Sequence, residues 1–400
     1  MAAHRREFLK SGIALAGAAG MTLLSSQTVF GTAALSRVKL GVIGCGGRGA
    51  WIANHFAAHG GYEMYAVADY FQEVADACGD TLGVDKSRRF SGLSGYRKLI
   101  ASGVEAVALE TPPYCFPEHA RAAVAAGLHV YMAKPVAVDA AGALEIGALG
   151  KQSAQNRRAF LVDFQVPTDP FNVEVMKRVK AGAIGRVPMI STCYLTGKFA
   201  DPPKTDSVES RLRNLVWVND VDLGGGYHGN ACIHGVDAGL WIAGQRPSAA
   251  FGVSRIARPD PHGDSHDQYS VTFEFADGTL MNHVGSHLSY PFTVRAIAFG
   301  DSGTAEIGYT GKAFVRGGSQ AYEGGDIVDL YAAGAKRNIA TFIDNILNGE
   351  FSNPTVEPSV NSTLATILGR EACLCRSRLT MDDLIAENKR IEPDLSGLKV

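Results

Sequence analysis

Four hundred residues exceed what one compact domain usually holds, so two domains are expected. Hydrophobic residues make up 46% and charged residues 20%, which excludes a chain disordered throughout. Thirty-eight Lys and Arg against forty Asp and Glu give a net charge of −2, without the basic surplus a nucleic-acid binder needs to meet phosphate.

The chain opens on Arg5-Arg6-Glu7-Phe8-Leu9-Lys10, followed by an apolar stretch over residues 11–24 and small residues at Gly31-Thr32-Ala33-Ala34. Charge, apolar core and small-residue exit are the three parts of a signal peptide. The apolar run is rich in Ala and Gly and falls short of the roughly 20 strongly apolar residues of a permanent span. The arginine pair resembles the twin-arginine export signal, a route that carries folded proteins. Residues 1–34 are therefore expected to be an address, and the passenger to be periplasmic or otherwise exported. The membrane is met only during export. Seven cysteines, an odd number with no CxxC pair, argue against a disulfide framework. Most are expected as small buried hydrophobes.

Arg37-Val38-Lys39-Leu40-Gly41-Val42-Ile43 reads as a buried parallel strand. It runs into Gly44-Cys45-Gly46-Gly47-Arg48-Gly49 and then a helix over 50–59. In G-x-G-x-x-G the first glycine permits the tight turn and the second lets backbone approach a pyrophosphate. The third lets helix and strand pack closely. The helix N-terminus offers free N–H groups to phosphate. A second strand, Glu63-Met64-Tyr65-Ala66-Val67-Ala68, ends at Asp69. A carboxylate there suits the adenosine ribose diol and repels a 2′-phosphate, favouring NAD over NADP.

The alternation continues with a strand over 104–109, a helix over 117–126, and the strand His129-Val130-Tyr131-Met132, closed by Ala133-Lys134-Pro135. Phe160-Leu161-Val162-Asp163-Phe164-Gln165 reads as the last strand of this set. The order predicts a doubly wound parallel sheet with ligand at the C-terminal strand ends, where Thr111-Pro112 and Lys134-Pro135 stand.

Beyond it come a helix over 172–180, strands over 187–194 and 271–275, the Asp277-Gly278 turn and a hairpin partner over 279–286. These favour an antiparallel sheet. Residues 198–221 form a polar, irregular stretch carrying Arg211, Arg213 and Trp217. Such a loop is placed to cover a sugar, with arginine gripping hydroxyls and tryptophan stacking on a ring. His262-x3-His266 and His283-x3-His287 lack the HExxH helix or cysteines of a zinc site, so no metal is expected. In a strand, alternate positions share a face, and the plain expectation for His283 and His287 is a solvent-facing pair. Helices over 338–347 and 363–375 and an extended arm over 393–398 complete the chain.

Taken together, the GxGxxG, Asp69, Thr111-Pro112, Lys134-Pro135, Gly182-Ala183-Ile184-Gly185, the stretch from Gly225-Gly226 to His234-Gly235-Val236-Asp237, and Ser362-Thr363-Leu364-Ala365 to Gly369-Arg370 resemble the glucose–fructose oxidoreductase / inositol dehydrogenase (Gfo/Idh/MocA) family over residues 37–400. The resemblance implies a Rossmann domain over 35–165, a substrate and oligomerisation α/β domain with an open, mostly antiparallel sheet over 166–340, and C-terminal helices with an arm over 341–400. It implies hydride transfer between NAD(P) and a sugar or polyol hydroxyl, a nucleotide held tightly, and a homo-oligomer, dimer or tetramer.

The resemblance also implies roles. Lys134 stands beside nicotinamide and reacting hydroxyl, where an ammonium stabilises a developing alkoxide; the family's preceding glutamate is replaced by Ala133. His234 is the candidate general base. Four residues earlier the family's acid is replaced by Asn230, which binds a hydroxyl but takes no proton. Asp237 either orients His234 or faces the core. Asp237, His228 and Arg213 are candidate substrate contacts. Gly44, Gly46, Gly47, Arg48, Gly49, Asp69, Thr111, Pro112 and Lys134 are the candidate cofactor set. Two other functions stay open. One is an NAD-requiring glycoside hydrolase or lyase that oxidises, eliminates and regenerates its cofactor. The other is a nucleotide-bound binding or sensor protein without turnover.

Overall fold

The computed structural model describes residues 37–400. The signal read at residues 1–34 lies outside the described residues. Six strands form the first sheet: β1 (Val38–Ile43), β2 (Tyr62–Asp69), β3 (Arg89–Ser91), β4 (Ala106–Leu109), β5 (His129–Met132) and β6 (Phe160–Val162). Their order is β3-β2-β1-β4-β5-β6, and every pair is parallel. The helices α1 (Gly47–His59), α2 (Gln72–Leu82), α3 (Gly95–Ile100), α4 (Phe116–Ala125) and α5 (Ala140–Gln155) alternate with them. β4 is buried along its whole length and β1 nearly so, as strands covered on both faces must be. The chain reverses direction between β1 and β4, where the strand order switches, and the C-terminal strand ends there open into a crevice.

After α6 (Pro170–Lys180), whose N-terminus is capped by the Asp169 carboxylate at 3.0 Å from the N–H groups of Phe171 and Asn172, the second sheet begins with β7 (Met189–Gly197). A short helix α7 (Val221–Gly224) and helix α8 (Ile233–Ala243) precede β8 (Ala249–Arg255), β9 (Gln268–Glu274), β10 (Leu280–Phe299), β11 (Gly303–Gly308), β12 (Lys312–Gly317) and β13 (Tyr322–Asp326). Helices α9 (Leu330–Asn348) and α10 (Val356–Cys375), strand β14 (Leu379–Thr380) and helix α11 (Met381–Glu387) follow. The sheet order is β13-β12-β11-β10-β9-β8-β14, with β7 paired to β10. β10 doubles back near residues 289–292. Leu280 to Leu288 run parallel to β7, while the pairings from Thr293↔Leu195 to Phe299↔Met189 run the other way. The remaining pairs are antiparallel, so the open, mostly antiparallel sheet expected from sequence is present.

One face of this sheet buries Tyr269, Val271, Phe273, Met281, Val294 and Ala296 under the helices. α9 returns to the first sheet, where Ala335, Ile339, Phe342 and Ile343 pack with Leu40, Val42, Phe56 and Tyr131. His283 and His287 belong to the buried face and are both fully buried, which corrects the solvent-facing expectation. β10 is apolar on both faces, with Met281 and Gly285 inside and Leu280 and Val284 outside. Period-two alternation therefore puts the two histidines together but does not choose their side.

Candidate active site

Gly44 ends β1 with φ +93°, and a Cβ on it would lie 2.6 Å from the backbone of Glu110. The close approach of β4's exit to the turn thus requires glycine. A Cβ on Gly49 would lie 1.8 Å from the Gly44 carbonyl oxygen, while Gly46 and Gly47 face open space. α1 begins with no side-chain cap and no acid in its first turn, leaving its N–H groups to an anion. Asp69 is fixed at the end of β2 by hydrogen bonds from the backbone N–H groups of Cys45 (2.8 Å) and Phe71 (3.0 Å). Burial pushes its pKa above the usual carboxylate value, against the pull of those N–H groups and of Arg213. These residues, with Thr111 and Pro112, line one cleft of about 940 Å³. An open glycine turn, a free helix N-terminus and a ribose-level carboxylate fit a nicotinamide dinucleotide.

The floor of the cleft is charged. Arg48, within the glycine turn, reaches Glu110 at 3.2 Å and Asp163 at 2.5 Å, and donates to the Tyr331 hydroxyl at 2.5 Å. Both carboxylates are fully buried. Lys134 follows β5 and donates from Nζ to the backbone oxygen of Asn230 at 2.7 Å. Burial and the neighbouring Arg48 charge push Lys134 down to about 7, while Asp163 and Glu110 hold it up. Burial raises Glu110 to about 7 against the pull of Arg48. Arg48 was expected among the cofactor residues. Its backbone sits in the turn, but its side chain is committed to these acids.

Gly225 and Gly226 adopt φ +79° and +72°, turning the chain sharply after α7. A π-helical turn, His228–Cys232, then leads into α8, and both Asn230 and His234 face the cleft. His234 is held in an aromatic box. Its ring is near-parallel to Tyr194 (6.0 Å, 16°) and edge-on to Tyr309 (4.9 Å) and Phe164 (6.1 Å). Burial, then the charges of Lys134 and Arg48, hold its pKa well below the ordinary histidine value, so it is a neutral imidazole. Its Nδ1 and the Asn230 amide nitrogen are buried without a hydrogen-bond partner among the described residues, an arrangement suited to a polar ligand.

Three expected substrate contacts do not line the cleft. His228 is fully buried, with Nδ1 2.8 Å from the Thr366 carbonyl oxygen and its ring beside His283. Asp237 accepts a hydrogen bond from Ser362 Oγ at 2.6 Å and so neither touches the cleft nor orients His234. Arg213 lies at the Asp69 end, paired with Glu73 and stacked 3.4 Å from the Phe71 ring centroid. The loop over 198–221 does cover the cleft, through Leu212, Leu215 and Trp217. Arg211 braces it from beneath, bonded to Asp220 (2.7 Å) and Asp201 (2.6 Å).

Sequence reasoning missed Glu110, Asp163 and Tyr331. The first two had a readable signal, since each is an acid directly after a strand of the parallel sheet. The C-terminal arm also reaches the cleft. Leu395 and Val400 line the cleft, Leu93 N–H donates to the Lys399 carbonyl (2.9 Å), and Lys399 N–H donates to the Tyr70 hydroxyl (3.1 Å). Tyr70 in turn donates to Glu209 of the covering loop (2.8 Å).

Two family models match the chain. One, described as an oxidoreductase family with an NAD-binding Rossmann fold, covers residues 38–158, and the GFO/IDH/MocA C-terminal domain covers residues 173–306. The chain is 25% identical over 360 residues to an inositol 2-dehydrogenase of Streptomyces avermitilis, spanning 87% of this chain and 96% of that one. Solved structures share the fold. An aldose-aldose oxidoreductase from Caulobacter crescentus, complexed with glycerol, superposes with a TM-score of 0.69 at 19% identity, over 86% of this chain and 99% of the other. A myo-inositol 2-dehydrogenase from Lactobacillus plantarum gives 0.68 at 19% identity over the same shares.

Proposed function

The chain belongs to the Gfo/Idh/MocA oxidoreductases, and from that premise we propose an exported, NAD-dependent dehydrogenase of a sugar or polyol. The observation that carries this is the meeting of Lys134, Asn230 and His234 in the same cleft as the glycine turn and Asp69. Curated and structural relatives are named for inositols and aldoses, which supports a sugar or polyol as the substrate.

Gly44, Gly46, Gly47, Gly49 and the α1 N-terminus would hold the pyrophosphate, with Asp69 on the ribose and Thr111 and Pro112 at the strand ends. When bound, the nicotinamide supplies a hydride acceptor. As the carbon gives up its hydride, the hydroxyl proton passes to His234, a neutral imidazole able to take it. Lys134, as an ammonium, stabilises the oxygen while it carries negative charge. Asn230 binds a neighbouring hydroxyl. The products are a ketone, a reduced cofactor and one proton on His234.

Export is proposed from Arg5-Arg6 and the segment after it, and a retained nucleotide from the arm and loop that close the adenosine end. A homo-oligomer is proposed from the outer face of the second sheet. There Met189 of β7, Phe251 and Val253 of β8 and Leu280 and Val284 of β10 are exposed, apolar side chains of the kind an interface covers.

The test is to denature the purified protein, identify the nucleotide released, and follow its reduction in the intact protein against a panel of polyols, aldoses and glycosides. Reduced NAD accumulating with a polyol or aldose supports the proposal. Aglycone release without net reduction replaces it with the redox-assisted glycosidase. NADP as the released nucleotide overturns the Asp69 assignment.

A further inference from the structure

Two aromatic side chains stand together at the rim of the cleft. Trp51 from α1 and Tyr331 from the first turn of α9 stack with ring centroids 4.7 Å apart and planes 28° apart, and both line the cleft. Tyr331 keeps 44% of its surface exposed, against 7% for His234 and for Asn230. The reacting groups thus lie on the floor, and the ring pair lies nearer the solvent.

The pair is braced. The Arg48 guanidinium lies 5.5 Å from the Trp51 ring centroid and 5.1 Å from that of Tyr331, and it donates to the Tyr331 hydroxyl. Glu110 and Asp163 fix Arg48 in turn. His55, one turn along α1, meets Trp51 edge-on at 4.4 Å. α9 is seated on the chain that leaves β6. Asn338 donates to Asp163 Oδ1 (2.7 Å) and to the Phe164 carbonyl (3.0 Å). A Cβ on Gly334, one turn after Tyr331, would lie 2.5 Å from Gln165 Cβ, so α9 rests directly on Gln165. Gln165 accepts from the Tyr309 hydroxyl, and Tyr309 and Phe164 are two walls of the His234 box. One short segment, Asp163 to Gln165, therefore carries both the ring pair's helix and the box around the candidate base.

A rigid pair of rings, apolar on its faces and polar at its hydroxyl and indole edges, suits a ligand with an apolar C–H face and a polar rim. A pyranose has that shape. The other parts of the cleft are already assigned: pyrophosphate to the α1 N-terminus, nicotinamide and the oxidised ring to Lys134, Asn230 and His234. The rim is left to whatever the substrate carries beyond that ring.

We propose that Trp51 and Tyr331 form a second sugar subsite, which takes a pyranose joined by a glycosidic bond to the ring that is oxidised. The preferred substrate is then a disaccharide or a larger glycoside. This deepens the dehydrogenase reading and rests on it only for the chemistry at the first ring. Hydride and proton leave the first ring, and no bond to the second ring changes.

The experiment is calorimetric titration of the full-length, nucleotide-loaded protein with free rings and their two-ring counterparts. The free rings are glucose, galactose, mannose and myo-inositol, and the two-ring sugars are cellobiose, maltose, lactose, mannobiose and galactinol. Methyl glucosides supply a glycosidic bond without a second ring. At least one two-ring sugar should bind about tenfold more tightly than its free ring and its methyl glycoside, the scale of one stacking contact. Tyr331→Ala should close most of that gap, and Tyr331→Phe, which keeps the ring, should preserve most of it. If no two-ring sugar outbinds its free ring in the wild type, the proposal is overturned, whatever the variants do. A gap that survives Tyr331→Ala overturns it as well. So does a Tyr331→Ala protein that loses nucleotide affinity and keeps the gap, which would give the pair to the nicotinamide. Binding is read without turnover. A two-ring sugar that binds through the pair yet reduces no nucleotide would leave the subsite standing and remove the dehydrogenase reading.

Discussion

The Asp237 carboxylate, one turn beyond His234, accepts its hydrogen bond from the Ser362 hydroxyl at 2.6 Å. That bond ties α8 to α10 across the core and turns the acid away from the cleft. Burial is the larger influence on Asp237 and pushes it up to about 7 despite the hydroxyl.

A raised carboxylate pKa has a definite sign for stability. The folded state holds a proton that the unfolded state releases near pH 3.8, so folding weakens as pH rises from about 4 to about 7. Asp237→Asn keeps the acceptor for Ser362 and removes the ionisation. Its melting temperature should match the wild type at pH 4 and exceed it at pH 8. Thermal denaturation at the two pH values checks this, and an equal difference at both would sink it.

His234 and Asn230 face the same cleft but are asked for different things. His234→Ala should lower turnover about 10²–10⁴-fold with nucleotide affinity retained, because the imidazole takes a proton and touches no phosphate. Asn230→Ala should chiefly raise KM. Lys134 bonds to the backbone oxygen of Asn230, which this substitution leaves in place. Steady-state kinetics on the substrate found by screening separate the two. Near-normal turnover in His234→Ala would send the search for the base elsewhere in the cleft.

The nucleotide half of the site was legible because its signals are local. A strand, six residues of turn, a helix and an acid at the next strand end are read in one pass, and Gly44, Gly49 and Asp69 stand where that grammar puts them. The charged floor of the cleft was not legible. Arg48, Glu110, Lys134 and Asp163 are scattered over more than 100 residues and meet only through strand order and register. His234 and Asn230 came from a resemblance, and the aromatic box takes Tyr194 from β7 and Tyr309 from just after β11, two elements that sequence spacing cannot align. Arg213 shows the limit for loops. It was assigned to substrate by residue type, yet its partner Glu73 belongs to the other sheet's α2.

Arg211 is the keystone of the covering loop. It is fully buried, between Asp220 at 2.7 Å and Asp201 at 2.6 Å, and Asp201 also binds Arg258 at 2.7 Å. Removing one partner of a buried ion pair leaves an uncompensated charge and costs about 3–5 kcal/mol. Arg211→Met should therefore lower stability by that order in chemical denaturation. Because the loop also covers the cleft, the variant should bind substrate and nucleotide more weakly before it unfolds. A variant as stable as the wild type would show that Lys204, 3.3 Å from Asp220, carries the pairing instead.

The C-terminal arm is predicted to hold the nucleotide in. Lys399 bonds in both directions to the first sheet's rim, through Leu93 and Tyr70, and Tyr70 is shared with Glu209 of the covering loop. Arm, rim and loop thus close one end of the cleft by three hydrogen bonds, while Leu395 and Val400 line it. Each bond is worth only about 1 kcal/mol net, so the closure is a latch that opens by local fluctuation and not a fixed wall. Ending the chain after Asp394 removes two of the three bonds and the apolar lining. Losing about 2 kcal/mol of closure corresponds to roughly thirtyfold faster nucleotide loss. Tyr70→Phe also deletes two of the three bonds but keeps the ring and the apolar lining of Leu395 and Val400, so it should accelerate loss in the same direction by a comparable factor. Nucleotide fluorescence on dilution into excess competitor measures the rate. If the shortened chain released its nucleotide at the wild-type rate with its melting temperature unchanged, the arm would be a surface ornament and retention would have to come from the pyrophosphate turn alone.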